Sequence, residues 1–234
     1  DLIFERMPAT LELVAVAACL VLCIAIPLGV YAGAYPKRAS SKLIMSGSIL
    51  GISLPSFWVG MMMIYIFAVV LRLLPASGRG NTVMVGNVAL SIFAPGGIRY
   101  VILPAITLAL TNVATMLRLT RSGILENMRQ DYIKFARAKG VPAKSILFGH
   151  ALKNALIPVV TIFGMDLGNM IAFTTITETI FAWPGMGKLL IDAINKSDRP
   201  IIVAYLMAAA CMFVVLNFIV DILYTLIDPR IELR

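Results

Sequence analysis

Apolar residues in this chain run in long unbroken blocks rather than alternating or recurring along one helical face. Five uncharged stretches approach or exceed the roughly 20 residues that carry a helix across a hydrocarbon core about 30 Å thick. They are Leu13–Pro36, Leu43–Leu71, Tyr100–Leu117, Asn154–Thr177 (interrupted by Asp166) and Pro200–Val220. Each is predicted to span a membrane. The third is the shortest and is predicted to continue past Arg118, whose long side chain can snorkel to the interface. A sixth uncharged run, Gly80–Ile98, is punctuated by Gly80, Asn81, Gly86, Asn87, Pro95, Gly96 and Gly97. Its apolar heart, Val83–Phe93, is too short to cross, so the run is predicted as a loop carrying an interfacial or re-entrant helix.

Composition agrees with this pattern. The 234 residues are 60% hydrophobic and 14% charged, against about 45–50% and about 25% for a soluble domain. A soluble fold of this length would lack the polar residues to cover its surface, which excludes a cytosolic enzyme, an extracellular binding domain and a disordered chain. The net charge of +8 suggests nucleic acid only if topology leaves it unexplained. With five spans, thirteen basic residues fall in the connections around 37–42, 118–153 and 228–234, and seven fall at Arg6, Arg72, Arg79, Arg99, Lys188, Lys196 and Arg199. The richer set is expected on the cytoplasmic side, so the chain starts outside and its C-terminus is cytoplasmic. No nucleic-acid partner is needed.

Local signals refine the bundle. Gly29-x3-Gly33, Gly47-x3-Gly51 and Gly164-x3-Gly168 each place two glycines on one helix face, where backbones can approach closely. Pro27, Pro55, Pro104 and Pro158 fall within or at the ends of spans, where they free carbonyls and favour kinks. Cys19, Cys23 and Cys211 all lie in apolar stretches, with no disulfide or metal pattern. Asp1–Pro8 reads as the middle of a polar segment rather than a signal peptide, so the N-terminus is expected to be truncated.

The connection 118–153 is too polar to cross and too long for a turn. Asp131–Lys139 is predicted as a helix with Tyr132, Phe135, Ala136 and Lys139 on one face. Gly140 is placed to cap it, and Pro142 to open a second helix, Pro142–His150. Such an elbow either lies on lipid or docks a cytoplasmic partner.

These residues carry a resemblance. Tyr132-Ile-Lys-Phe-Ala-Arg-Ala-Lys-Gly140 followed by His150-Ala-Leu-Lys-Asn-Ala-Leu-Ile-Pro158 resembles the cytoplasmic signature loop of ABC importer inner-membrane permease subunits, specifically the dipeptide/oligopeptide/nickel permease family. Arg6–Leu13, Ser53–Trp58, Glu178–Gly187 and Asp221–Arg230 resemble further signature regions in the same order. The loop departs from the general importer pattern, Glu-Ala-Ala, three residues, Gly: counting back from Gly140, this chain has Lys134-Phe135-Ala136, the peptide-type variant. A contact made by that glutamate is therefore not carried over.

The resemblance implies an all-α, polytopic helical bundle of the type I ABC importer permease class, with six spans in the intact subunit and five in this chain. It implies a transmembrane domain over 1–234 with a coupling loop at 118–153. The implied partners are a second homologous permease, two ATP-binding subunits and an extracytoplasmic substrate-binding protein, in a bacterial inner membrane. Selectivity is expected to reside largely in that binding protein. Peptide is the first choice of cargo, with a nickel complex or glutathione as alternatives.

The chain has no phosphate-binding Gly-x4-Gly-Lys-Ser/Thr, so it is not expected to be an enzyme. No cofactor is expected on it, and ATP and Mg are expected on the partner subunits. His150 stands alone without metal-ligand spacing. In the coupling loop Ala136, Ala138 and Gly140 would let a short helix approach an ATPase groove, with Arg137, Lys139 and Lys144 facing acidic groups on its rim. Closure of two ATPases on ATP would then move the docked helices and tilt the attached spans. Asp166, Asn112, Asn169 and Asn217 are candidates for lining the pathway, because polar groups inside a membrane are costly unless partnered or facing water. Glu178 and Asp221 read as structural or gate-side anchors, Trp183 as an aromatic anchor at the outer interface or gate, and Lys188–Lys196 as a short interfacial helix. Two rival classes remain: a secondary transporter or channel using Asp166 as an ion site, and a membrane scaffold without transport.

Overall fold

The computed structural model describes residues 2–86 and 88–227, the side chains of 221 and 223–227 excepted. Asp221, the end of the Asp221–Arg230 motif, and the C-terminal arginines lie outside the described side chains. Eight helices are described: α1 (Leu2–Ala34), α2 (Ala39–Ser53), α3 (Ser56–Val70), α4 (Ile98–Asn127), α5 (Asp131–Ala138), α6 (Ala143–Ile180), α7 (Met186–Asn195) and α8 (Arg199–Ile227). Among the described residues the helices are accompanied by one two-stranded hairpin, β1 (Val83–Val85) and β2 (Val88–Leu90).

Four helices, α1, α4, α6 and α8, are long and apolar enough to cross a membrane, and the broken pair α2 and α3 makes a fifth candidate. The break has a local cause. Pro55 lacks an N–H and disfavours helical geometry at Leu54, so α2 stops there, and Pro55, itself extended (φ −61°, ψ 135°), precedes the start of α3. The single span predicted over Leu43–Leu71 is therefore two helices. Pro104 and Pro158 do sit inside helices, in α4 and α6.

Three further expectations are corrected. Within Gly80–Ile98 the predicted helix is instead a hairpin, with Val83 opposite Leu90, Met84 opposite Ala89 and Val85 opposite Val88. Valine-rich triplets flank a two-residue connection that starts with Gly86 at φ +64°, the strand signature rather than the helical one. The helix opening after Pro142 does not stop at His150. It passes through a π-helical stretch, Ile146–Ala151, and continues as α6. Gly47 meets no neighbour where a Cβ would stand, so no close packing is seen there. The other two glycine pairs do pack closely: a Cβ on Gly29 would lie 2.6 Å from Thr120 Cβ, one on Gly33 2.7 Å from Ile124 Cβ, and one on Gly168 2.5 Å from a Phe213 ring carbon, while one on Gly164 would collide with Val220.

The chain divides into two compact units. The first is formed by segments within 1–20, 54–110 and 167–217, the second by segments within 21–53, 111–166 and 218–234. In the first, Leu13, Leu103, Phe181 and Trp183 are among the fully buried side chains; in the second, Val30, Ile124, Ile133, Ile146, Ala151 and Ala155 form one apolar core. Helix α8 leaves most of its apolar surface uncovered, exposing Val203, Leu206, Met207, Val214, Val215 and Phe218, as a helix facing lipid or another membrane subunit does.

Candidate functional site

The second unit carries the 118–153 connection. Helix α4 continues past Arg118 to Asn127, as predicted, and hands over to α5 within a few residues. Ile133 is wholly buried in the second core, and Ala136, Val141, Leu147 and Leu152 pack against that core. Ala136, expected on the contact face, thus turns inward. At the end of α5 the N–H of Gly140 donates to the Arg137 carbonyl at 3.0 Å and that of Val141 to the Ala136 carbonyl at 3.1 Å. This is a Schellman cap with Gly140 at φ +76°. No other atom approaches the space beside Gly140, so the residue is needed for its backbone conformation.

Tyr132 ties the elbow to both flanking helices. Its hydroxyl donates to Asn127 Oδ1 at 2.8 Å and accepts from Asn154 Nδ2 at 3.0 Å, while Asn127 Nδ2 donates to the Gly123 carbonyl at 2.9 Å. The rest of α5 faces out. Phe135 is 62% exposed, with Lys139 Nζ 4.5 Å above its ring, and Arg137, Ala138 and Lys144 are exposed as well. Lys134 Nζ lies 2.7 Å from Asp131 Oδ1 in the first turn and holds the Asp131 carboxyl below the usual carboxylate range. His150 is exposed in the π-helical stretch, and the described residues hold no cluster of metal-ligating side chains.

The first unit carries a different construction, a buried polar clamp. Glu12 in α1 is 5% exposed. Its Oε2 accepts from Arg79 Nη2 at 2.5 Å, and its Oε1 accepts the Ser91 and Ile92 N–H groups at 2.6 and 2.7 Å. Arg79 Nη2 also donates to the Ala89 carbonyl at 2.6 Å, and the guanidinium sits 5.7 Å from the Trp183 ring centroid. Trp183 is fully buried, its indole N–H donating to the Ala9 carbonyl at 2.9 Å, so it anchors α1 within this unit.

Glu178 is equally buried. Thr10 Oγ1 donates to Glu178 Oε1 at 2.6 Å and accepts the Met186 N–H at 2.8 Å, while Glu178 Oε2 accepts the Lys188 N–H at 3.0 Å. Carboxylate and hydroxyl thus satisfy the first turn of α7, where the helix dipole favours an anion. Gly185 is required here, because a Cβ at that position would strike the Glu178 carboxylate. Lys188–Lys196 is largely helical, as predicted, within α7.

The pathway candidates are dispersed over three helices. Asn112 in α4, Asp166 in α6 and Asn217 in α8 are half-buried, and Asn169 in α6 is exposed. Three residues central to the site were not singled out from sequence: Ile133, Glu12 and Arg79. Glu12, an acid directly bordering the first apolar block, was the available signal for the clamp.

Comparison with known proteins places this architecture. The chain is 41% identical over 99% of its length to an oligopeptide transport system permease protein of Bacillus subtilis, covering 72% of it. It is 40% identical over 96% of its length to a di/tripeptide transport system permease protein of Pseudomonas aeruginosa, covering 70% of that protein. Against the dipeptide transport system permease protein of Escherichia coli K12 it is 36% identical over 97% of its length, covering 71%. Among solved structures, the inward-facing MetNI methionine ABC transporter superposes with a TM-score of 0.74 at 15% identity, over 97% of this chain and 96% of that one. An amino acid ABC transporter follows at 0.64 and 12%, over 95% of this chain and 92% of that one. These share the fold of type I ABC importer permeases. The profile described as "Binding-protein-dependent transport system inner membrane component" matches residues 25–233, and this chain belongs to that family.

Proposed function

We propose that the chain is one of two permease subunits of an ATP-driven importer and forms half of the transmembrane path for peptides. Relatives named as oligopeptide and dipeptide permeases support peptide as cargo over nickel complexes, glutathione or an ion-coupled mechanism. Residues 118–153 are the coupling loop. They face the cytoplasm, as does the C-terminus, in a bacterial inner membrane. Two ATP-binding subunits hold ATP and Mg, and a substrate-binding protein delivers peptide on the other side. Asp166, Asn112, Asn169 and Asn217 line the path.

The observation that carries the reading is α5 itself. Ile133 anchors the helix in an apolar core, Tyr132 bonds it to Asn127 and Asn154, and Phe135, Ala138 and Lys139 are left bare. A small helix so held transmits a displacement to α4 and α6 instead of absorbing it. When the ATPases close on ATP, α5 moves with them and the attached spans follow, opening the path alternately to either side.

The test replaces Phe135 by Asp in the assembled transporter. The variant is expected to fold as wild type, lose co-purification of the ATPase subunits and lose ATP-dependent peptide uptake in proteoliposomes. Undiminished co-purification and uptake would overturn the assignment of α5.

A further inference from the structure

We infer that the first unit contains a binding site for the phosphate of a phospholipid headgroup, built from Arg72 and Arg99 where α3 ends and α4 begins. A cavity of about 490 Å³ lies there, and Gly80, Asn81, Gly96 and Tyr100 also line it. Three arginines belong to this region, and they differ sharply. Arg79 is neutralised by Glu12. Arg72 and Arg99 make no ion pair among the described residues, and no carboxylate lines the cavity. Arg72 and Arg99 both line this one space and are solvent-exposed, and the guanidinium fork matches phosphate oxygens in bidentate fashion.

The walls are fixed in shape. The Tyr100 ring packs on the backbone of Gly80, so that a Cβ there would lie 2.6 Å from it, and Gly80 has φ +68°. Arg72 itself is held at φ +52°, a conformation few non-glycine residues adopt. The first turn of the 30-residue helix α4 opens at Ile98, beside Arg99, and adds positive potential at its N-terminus.

Position selects a lipid over a soluble anion. Val69, Val70 and Leu71 run up to Arg72 with their apolar side chains exposed, and exposed Ile98 precedes Arg99. These residues end one candidate span and begin the next. Acyl chains would therefore cover the apolar side chains while the headgroup phosphate, on the side opposite the coupling loop, enters the cavity.

The experiment maps arginine reactivity in the purified, assembled transporter in detergent. Phenylglyoxal labelling of Arg72 and Arg99 is read by peptide mass spectrometry after addition of phosphatidylglycerol, of diacylglycerol with the same chains, or of inorganic phosphate. Phosphatidylglycerol is expected to slow labelling of both arginines by on the order of tenfold, the loss of reactivity that charge-assisted hydrogen bonds of this kind imply. Diacylglycerol and matched inorganic phosphate should leave labelling unchanged. Equal labelling in all arms overturns the site; protection by inorganic phosphate equal to that by phosphatidylglycerol overturns the lipid assignment. In a second arm, native mass spectrometry should show phosphatidylglycerol retained by wild type and released from the Arg72→Gln, Arg99→Gln pair. Retention by the Gln pair equal to wild type overturns it as well.

Discussion

The clamp around Glu12 and the elbow around α5 both fix connecting segments between apolar helices, and they do it by opposite means. The clamp buries charge: one carboxylate holds a guanidinium and two backbone N–H groups, and a second carboxylate holds the start of α7. The elbow buries apolar surface, chiefly Ile133, and spends a single phenol hydroxyl on two neighbours. A buried ion pair tolerates almost no change in either partner, because removing one strands the other. An apolar peg tolerates any change on the face that points away from it. The first device suits a segment whose geometry is to stay fixed, the second a helix whose outer face is to be matched to a partner.

Glu12→Ala should therefore have the largest effect. It leaves Arg79 buried without a counter-charge and two N–H groups without an acceptor. A loss of about 3–5 kcal/mol is expected, read as a large drop in the thermal midpoint of the detergent-purified chain. The Glu12→Ala, Arg79→Ala pair should lose less than the sum of the two single changes, since the stranded charge is gone. Additive losses would mean that the two side chains do not act as a unit, and the contrast with the elbow would fail.

Next comes Ile133→Ala, which removes the peg. Truncation of a fully buried isoleucine costs about 2–5 kcal/mol, and here the loss falls on the α5 segment, read as faster proteolysis between α4 and α6. Phe135→Ala on the opposite face should stay within about 0.5 kcal/mol of wild type. Equal protease sensitivity in the two variants would show that Ile133 is not what seats the helix.

The two devices also differ in how far they were legible beforehand. The elbow is local: helix formers over 131–139, Gly140 and Pro142 lie within a dozen residues, and both the helix and its glycine cap follow from that order. What the local pattern misjudged was the facing. Tyr132, Phe135, Ala136 and Lys139 formed the conspicuous stripe, yet Ile133 is the side chain that enters the core, because the core is supplied by Val30, Ile124 and Ile146 from distant segments. The clamp is not local at all. Glu12 and Arg79 are 67 positions apart, and Trp183 reaches Ala9 across 174, separations over which no periodicity carries information. The hairpin at 83–90 fails the length test for a span and so is hidden in a loop, although Gly86-Asn87 between valines is a usable turn signal.

The smallest expected effects come from a feature the two regions share. Both α5 and α6 end in a Schellman cap. At the end of α6 the Trp183 N–H donates to the Glu178 carbonyl at 2.8 Å and the Ala182 N–H to the Thr179 carbonyl at 3.3 Å, with Ala182 in the left-handed position at φ +46°. The elbow uses glycine there and the clamp uses alanine, so the same chemistry is unstrained in one region and strained in the other. Gly140→Ala should destabilise by about 1 kcal/mol, the cost of forcing a Cβ into that conformation. Space is not the issue, since nothing crowds the position. Ala182→Gly should relieve the corresponding strain, but glycine also loosens the unfolded chain, which offsets about 0.4–1 kcal/mol of the gain. A net gain of about 0.5 kcal/mol is what remains, visible as a small rise in the thermal midpoint. If Ala182→Gly lowers stability while Gly140→Ala leaves it unchanged, the caps are not governed by backbone strain. The buried bonds of Trp183 and Glu178 would then dictate the end of α6 by themselves, which would widen the difference between the regions rather than bridge it.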